Sequence, residues 1–217
     1  MSLGIGTIQS PKNTSNMVAD ALRSAIMQGK LEIGQSLRQD EIAAEFSVSK
    51  IPVREALVQL QGEGLVKLMP GRGAMVSELT FAEVDEIYTM RRALEAIALR
   101  KALPLLTMAD FSEAEAILER IDHTGNRSQW AELNWEFHDI LYRPANMPRL
   151  IHTTKTLHNN VARYLLLRHL DDDYLAESQR QHREIIEACR LRDEDRAVKL
   201  LEHHLDDPAR AFSEMKK

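Results

Sequence analysis

Apolar residues in the first third of the chain fall into three segments with helical spacing, followed by two short apolar runs on either side of a glycine-rich turn. The segments predict helices and the runs predict strands, over Met17–Gln28, Asp40–Phe46, Ser49–Gly62, Leu65–Leu68 and Ala74–Ser77. Three helices followed by a two-stranded hairpin are typical of a winged helix-turn-helix, in which the hairpin is the wing.

The third of these helices carries the strongest functional signal. Ser49 is placed to cap its N-terminus, and Pro52 suits a first turn because the missing N–H has no partner there. One apolar face is predicted to be buried and consists of Val53, Ala56, Leu57 and Leu60. Lys50 and Arg54 place two cations near the N-terminus, where the helix dipole opposes them unless an anion such as DNA phosphate lies opposite. Taken alone, Arg54 is equally explained by an ion pair with Glu55.

From Thr80 onward the strand signals disappear and helical periodicity continues along the chain. Thr80 and Glu83 form a capping box in front of a long helix that runs to about Lys101. Further helices are predicted over Met108–Asp122, Ser128–Leu141, Pro148–Arg168, Asp172–Arg190 and Glu194–Phe212. Their short connections predict an antiparallel all-α bundle. We therefore expect a mainly α chain with a flexible arm over residues 1–15, a winged domain over 16–78 and a helical domain over 79–217.

The distribution of charge limits how the first domain can bind DNA. The 217-residue chain has a net charge of −5, but residues 1–78 contain eight basic and eight acidic side chains, so the excess of acid lies in the bundle. A neutral domain must rely on a few well-placed cations. This favours two such domains acting together on an inverted repeat.

Cysteine use and hydropathy indicate where the protein works. Cys189 is the only cysteine, which excludes an internal disulfide and is typical of a reducing compartment. No apolar run reaches the length of a transmembrane helix, and the N-terminus has no apolar core of a signal peptide. We expect a cytoplasmic protein without a membrane partner.

Three of the eight histidines lie on the apolar faces of three different predicted helices: His138, His182 and His204. Each imidazole is expected to point into the bundle, and Asn134, four residues before His138, adds an oxygen on the same face. A single buried histidine is most often a hydrogen-bonded core residue. Three that converge favour a divalent transition metal, with zinc or nickel suited to imidazole ligands and one position left for water or a ligand carboxylate.

Arg91 is predicted on the inward face of the first long helix of the bundle, where an unpaired guanidinium is costly. One candidate partner is Glu95, four residues further on, in an ordinary helical ion pair. The other is the carboxylate of a small organic effector, held by two parallel hydrogen bonds. Asn160 is a weaker candidate for contact with the same effector.

The first domain resembles the DNA-binding domain of GntR-family transcriptional regulators. The resemblance rests on IMQGKLEIGQSLRQDEIAAEFSVSKIPVREALVQLQGEGLV and on GRGAMV. It implies contacts to the major groove by Ser49, Lys50, Ile51, Pro52 and Arg54, and to the minor groove by Gly71 and Arg72 at the tip of the wing. Without the resemblance, Arg72 is an ordinary turn residue. The family often has a basic residue where this chain has Asp40, and we expect the nearby Arg38 to supply that contact.

The second domain resembles the FCD ligand-binding domain of the FadR-type GntR subfamily. The resemblance rests on YTMRRALEAIA, NWEFHDIL, QHREIIEAC and a histidine in the last helix. It implies a dimer-forming helical bundle, an effector contact by Arg91, and a metal held by an acidic residue and three histidines. Those metal positions correspond to Asn134, His138, His182 and His204. The amide oxygen of Asn134 stands where the family commonly has aspartate, and it is a weaker ligand than a carboxylate.

Together these features predict a homodimeric transcriptional repressor and not an enzyme. Its winged domains would bind an inverted-repeat operator, and its bundle would bind a small organic acid beside a divalent metal. One alternative is a metal-dependent enzyme domain fused to a DNA-binding domain, because three histidines with an open position can activate water. Another is a bundle that serves only dimerisation and binds no effector.

Overall fold

The computed structural model describes the backbone of residues 12–70, 73–168 and 172–214, and the side chains of residues 14–70, 73–126, 129–162 and 172–208. The chain divides into two compact units, Met1–Glu78 and Leu79–Lys217. The first unit contains helices and a small sheet, whereas the described part of the second contains only helices.

The first unit is a winged helix-turn-helix. Its elements are α1 (Lys12–Met27), β1 (Ser36–Leu37), α2 (Gln39–Glu45), α3 (Lys50–Gly62), β2 (Val66–Met69) and β3 (Gly73–Val76). The strands form one antiparallel sheet in the order β1-β3-β2. Its apolar core includes the predicted inward face of α3, which is completely buried: Val53, Ala56, Leu57 and Leu60.

The sheet has one strand more than the predicted two-stranded wing. Leu37 of β1 pairs with Ala74 of β3, and a strand of two residues is too short to leave a periodic signal in the sequence. Gly73 allows β1 to approach, because its φ is +92° and a Cβ at this position would collide with the carbonyl oxygen of Leu37. The strand therefore depends on a glycine that the sequence pattern marks only as part of a turn.

The helix ends in this unit also differ from those predicted. Helix α1 begins at Lys12, so residues 12–15 of the predicted arm are helical, while residues 1–11 lie outside the described residues. Asp40 lies in the first turn of α2, whose N-cap is Arg38. Ser49 is the N-cap of α3 as predicted, but its side chain makes no capping hydrogen bond. Phe46, the last residue of the predicted second helix, is 37% exposed because α2 ends at Glu45 and Phe46 follows it as the C-cap.

The second unit is the helical bundle predicted from the periodicity. Its long helices are α4 (Phe81–Ala102), α5 (Met108–His123), α6 (Arg127–Tyr142), α7 (Pro148–Arg168), α8 (Asp172–Arg190) and α9 (Glu194–Glu214). The predicted capping box is present: the Thr80 hydroxyl accepts from the Glu83 N–H, and the Glu83 carboxylate accepts from the Thr80 N–H. None of the described helices combines the length and the apolar composition needed to cross a bilayer.

Candidate functional site

Helix α3 buries one face in the first unit and exposes the other. Ser49, Lys50 and Arg54 are exposed, and Ile51 has 69% of its surface accessible. Pro52 is buried, so the structure does not place it among the exposed residues of α3 where the prediction of a DNA contact would put it. The reason is its spacing, because residues 52, 56 and 60 follow one another at intervals of four and share the face that packs into the core.

The exposed side of α3 borders a surface depression of about 800 Å³. It is lined by Arg38, Lys50 and Arg54, by Asp40, and by residues of the hairpin such as Met69 and Gly73. The predicted wing-tip contacts, Gly71 and Arg72, lie outside the described residues. The three cations therefore border a single concave surface, which suits contact with a polyanionic duplex.

Two acidic side chains accompany these cations. Asp40 Oδ1 lies 2.6 Å from Lys50 Nζ, and Glu41 Oε1 lies 3.3 Å from Arg38 Nη1. The hydrogen bond from Lys50 lowers the pKa of Asp40 below its usual value, so this carboxyl is ionised at neutral pH. Arg38 is exposed beside α3, as its predicted role requires, but it shares the surface with acidic partners.

The bundle brings His138 of α6, His182 of α8 and His204 of α9 together in its core. All three are buried, and one ring nitrogen from each lies within 4.8 Å of one from the others. Burial, the largest cause, lowers the pKa of His138 and His182 well below the usual value and that of His204 to about 3. The three imidazoles are therefore neutral, as metal ligands must be.

Each imidazole has its Nδ1 next to an oxygen that selects its tautomer. His182 Nδ1 lies 3.0 Å from Gln179 Oε1, and His204 Nδ1 lies 2.8 Å from Gln181 Oε1. The amide nitrogen of Gln179 donates to Leu118 O and Asp122 Oδ1, and that of Gln181 donates to acidic side chains, so in both residues the oxygen faces histidine. Both Nδ1 atoms must then carry hydrogen, which leaves Nε2 as the free lone pair.

The same argument applies to His138 through a longer chain of contacts. Tyr142 Oη donates to Glu95 Oε2 at 2.7 Å, so it can only accept from His138 Nδ1 at 3.1 Å. Glu95 Oε1 in turn accepts from Arg91 Nε at 2.7 Å, with both side chains buried. The predicted pair of Arg91 with Glu95 is therefore present, although it is a buried pair and part of a network that ends at His138.

Three Nε2 lone pairs are available to a cation, and the spacing of two of them matches a tetrahedral site. His138 Nε2 is buried without a hydrogen-bond partner among the described residues. His182 Nε2 and His204 Nε2 lie 3.2 Å apart, so two lone pairs face each other. Two nitrogens bound to one tetrahedral zinc are about 3.3 Å apart, given Zn–N bonds of about 2.0–2.1 Å. The donor set therefore suits zinc or another divalent ion that accepts imidazole.

A small cavity of about 20 Å³ lies beside this cluster and is lined by residues of α4, α6, α7, α8 and α9. Arg91 and His204 line it. So do five side chains that each have a buried polar atom without a hydrogen-bond partner in the described structure: Tyr88 Oη, Trp130 Nε1, Asn134 Oδ1, His158 Nδ1 and Ser178 Oγ. Such atoms are rare in folded proteins, and water, an ion or a ligand is the usual missing partner. The volume holds about one water molecule.

Some of the residues predicted to bind the effector or the metal line this cavity and others do not, and at least one residue that lines it was not predicted. Asn134 lines it, as its predicted role requires, but Asn160 does not, although Asn160 Oδ1 is also buried without a partner among the described residues. His158 was not predicted to converge with the other histidines, yet it is buried and its ring lies 5.3 Å from that of Trp135. Its neighbours at helical spacing, Thr154 and Val161, are buried as well, and this was the missed signal.

Comparisons with known proteins identify the domain families of both units. The model of the FCD domain matches residues 86–207, and that of the bacterial regulatory proteins of the gntR family matches residues 14–76. The HTH-type transcriptional repressor RspR of Escherichia coli (strain K12) is 29% identical over 192 residues, which are 86% of this chain and 83% of RspR. The gluconate operon transcriptional repressor of Bacillus licheniformis is 29% identical over 206 residues, covering 90% of this chain and 83% of that protein.

Solved structures show the same fold. The structure of E. coli McbR/YncC has a TM-score of 0.82 at 23% identity, and the match covers 94% of this chain and 99% of that one. The families and relatives are transcriptional regulators, so the alternative of an enzyme is not supported. This chain belongs to the GntR family of bacterial transcriptional regulators and carries an FCD domain.

Proposed function

We propose that this regulator is a homodimeric repressor whose bundle senses a small organic acid beside a divalent metal. One observation carries the effector proposal: buried polar atoms without a hydrogen-bond partner in the described structure, from four helices, surround one cavity that Arg91 also lines. A carboxylate is the anion that a guanidinium binds with two parallel hydrogen bonds. Arg91 Nε is held by Glu95, and the guanidinium has further N–H donors on its two terminal nitrogens.

The metal proposal rests on the three free Nε2 atoms. His138, His182 and His204 would hold the ion, with Asn134 Oδ1 as a neutral fourth donor on the same face of α6 as His138. A bound divalent ion would supply positive charge for a ligand carboxylate. Gln179, Gln181 and Tyr142 orient the imidazoles, and such oriented outer contacts strengthen metal binding.

The size of the cavity suggests how binding could control the repressor. An organic acid does not fit in about 20 Å³, so its entry must widen the space between helices that close it now. Two states of the bundle, closed and widened, would then differ in effector affinity. Only such a difference lets an effector shift a conformational equilibrium and so change operator affinity.

The repressor and homodimer assignments rest on separate arguments. RspR and the gluconate operon protein are repressors by name. A winged domain with equal numbers of basic and acidic residues needs a second copy to bind tightly, and twofold symmetry then matches an inverted repeat. Met90 and Ile97, seven residues apart on α4, leave apolar surface exposed on one side of the bundle, as an interface requires.

Replacing Arg91 with lysine tests the effector proposal. We expect at least one small carboxylic acid to raise the melting temperature of the wild-type protein, since ligand at 100 times Kd stabilises by about 2.7 kcal/mol. Arg91→Lys should lose most of that shift, because lysine keeps the charge but not the two-point geometry. Thermal-shift screening of a panel of hydroxy, keto and sugar acids measures the melting-temperature shift of the wild type and of Arg91→Lys.

The neighbouring Arg92→Lys is the matched control, because Arg92 is half-exposed and pairs with Asp206 instead of lining the cavity. It should retain the full shift. A wild-type protein that no acid stabilises, or an Arg91→Lys protein with an undiminished shift, would contradict the proposal and favour a bundle that serves only dimerisation.

A further inference from the structure

The ion pair between Asp40 and Lys50 lies on the surface that faces DNA. Their atoms are 2.6 Å apart, and the two side chains are 63% and 66% exposed. An exposed pair of this kind contributes little to stability. An acidic residue on such a surface also repels phosphate. Neither stability nor attraction to phosphate therefore accounts for this ion pair, and a role in contact with the DNA bases explains it better.

The position of the pair indicates which part of DNA it meets. Lys50 is the first residue of α3, and the N-terminal residues of a recognition helix are those that reach base edges in the major groove. Asp40 Oδ1 is in direct contact with Lys50 Nζ, and both residues line the same depression as Arg54. The carboxylate therefore accompanies Lys50 into the groove rather than lying along the backbone.

The chemistry of the pair matches one kind of base pair. Lys50 offers donors and the ionised Asp40 offers only acceptors. In the major groove, guanine presents O6 and N7 as acceptors, and its partner cytosine presents the N4 amino group as a donor. Lysine binding to guanine and aspartate accepting from cytosine are both recurrent contacts. A donor and an acceptor held side by side thus complement the edge of a G·C pair.

We propose that Asp40 is a specificity determinant of this regulator, and that it accepts a hydrogen bond from cytosine N4 at one G·C pair of each half-site while Lys50 donates to the paired guanine. The same carboxylate weakens binding to other sequences, where its repulsion by phosphate is not offset by that hydrogen bond. A basic residue at this position would raise the affinity for all DNA. Asp40 would instead lower the affinity for other sequences and so increase the preference for the operator. This inference depends on DNA binding by the winged domain and not on the effector or the metal.

Selection from a pool of random duplexes tests the proposal with the full-length protein. The wild type should select a motif with a fixed G·C pair in each half-site, and changing that pair to A·T should weaken binding about 5- to 150-fold, the usual effect of one mismatched pair. Asp40→Ala should select a motif that differs only at that pair, with discrimination there reduced by about 5-fold or more, because Lys50 alone then contacts the pair. Its affinity for random duplex should rise, with a steeper dependence on salt, because Lys50 becomes available to phosphate.

Glu41→Ala is the matched control, since Glu41 is an exposed acid on the same helix, pairs with Arg38 and does not line the depression. It removes the same charge and should leave the selected motif unchanged. Lys50→Gln separates direct reading from positioning: cytosine should remain preferred if Asp40 contacts it. An Asp40→Ala protein with the wild-type motif, or a cytosine preference that disappears in Lys50→Gln, would overturn the proposal.

Discussion

Replacing Glu95 with glutamine is expected to lower the free energy of unfolding of the bundle by about 3–5 kcal/mol, the usual cost of removing one partner of a buried ion pair. Glu95 has no exposed surface and accepts from both Arg91 and Tyr142. A neutral amide leaves the Arg91 guanidinium buried without a counter-charge. Chemical denaturation followed by circular dichroism measures the loss.

Two comparisons separate this effect from a general loss of packing or charge. Glu136→Gln removes one partner of an exposed pair with Arg120, and it should cost less than about 1 kcal/mol. The double substitution Arg91→Met/Glu95→Leu should recover much of the stability lost in Glu95→Gln, because apolar residues can replace a buried pair at little cost. Equal losses for Glu95→Gln and Glu136→Gln would contradict the buried network.

Adding zinc to chelator-treated protein is expected to raise its melting temperature by roughly 5–10 °C when zinc is present at 100 times Kd. The reason is that three neutral imidazoles with inward-facing lone pairs gain a ligand that the unfolded chain binds weakly. The double substitution His138→Ala/His182→Ala should remove the shift, since one histidine remains. Differential scanning fluorimetry with zinc, and then with nickel, makes the measurement.

His203→Ala is the control for adventitious binding to surface histidines. His203 adjoins His204 on α9 but is exposed and lies near Asp207. This variant should show the wild-type shift. A wild-type protein with the same melting temperature in chelator and in zinc, or a double variant that responds as the wild type does, would refute the metal centre.

The bundle could be predicted from its sequence because its signals are local. Each helix has an apolar face with a period that a short window reveals, and the capping residues mark where α4 begins. The convergence of His138, His182 and His204 followed from the same periodicity, since a residue on the apolar face of a bundle helix points to the common core. The buried face of α3 was predicted for the same reason.

The contacts that give the site its chemistry could not be predicted, because they join distant parts of the chain. Tyr142 lies one turn from His138 on the same helix, but its partner Glu95 is 47 residues away. Gln179 orients His182 only because Leu118 and Asp122, on another helix, hold its amide nitrogen. Such pairings depend on the packing of whole helices, which residue spacing does not determine.

The errors in the winged unit have a different cause. Strand β1 has two residues, and α2 has seven, so neither contains enough repeats for periodicity to locate its ends. Phe46 was predicted as the last residue of this helix, whereas α2 ends at Glu45. Pro52 was assigned to the DNA surface by resemblance to a family motif, whereas its register with Ala56 and Leu60 places it inside.

Selection of genomic fragments by the purified full-length protein tests the central claim most directly, namely that α3 reads a specific operator. The wild type should enrich a few discrete sites containing two related half-sites. Arg54→Ala should bind them with an affinity lower by about 1–3 kcal/mol, if Arg54 contacts a guanine through two hydrogen bonds. A wild-type protein that prefers no genomic fragment over random duplex, with or without zinc and small carboxylic acids, would contradict the account.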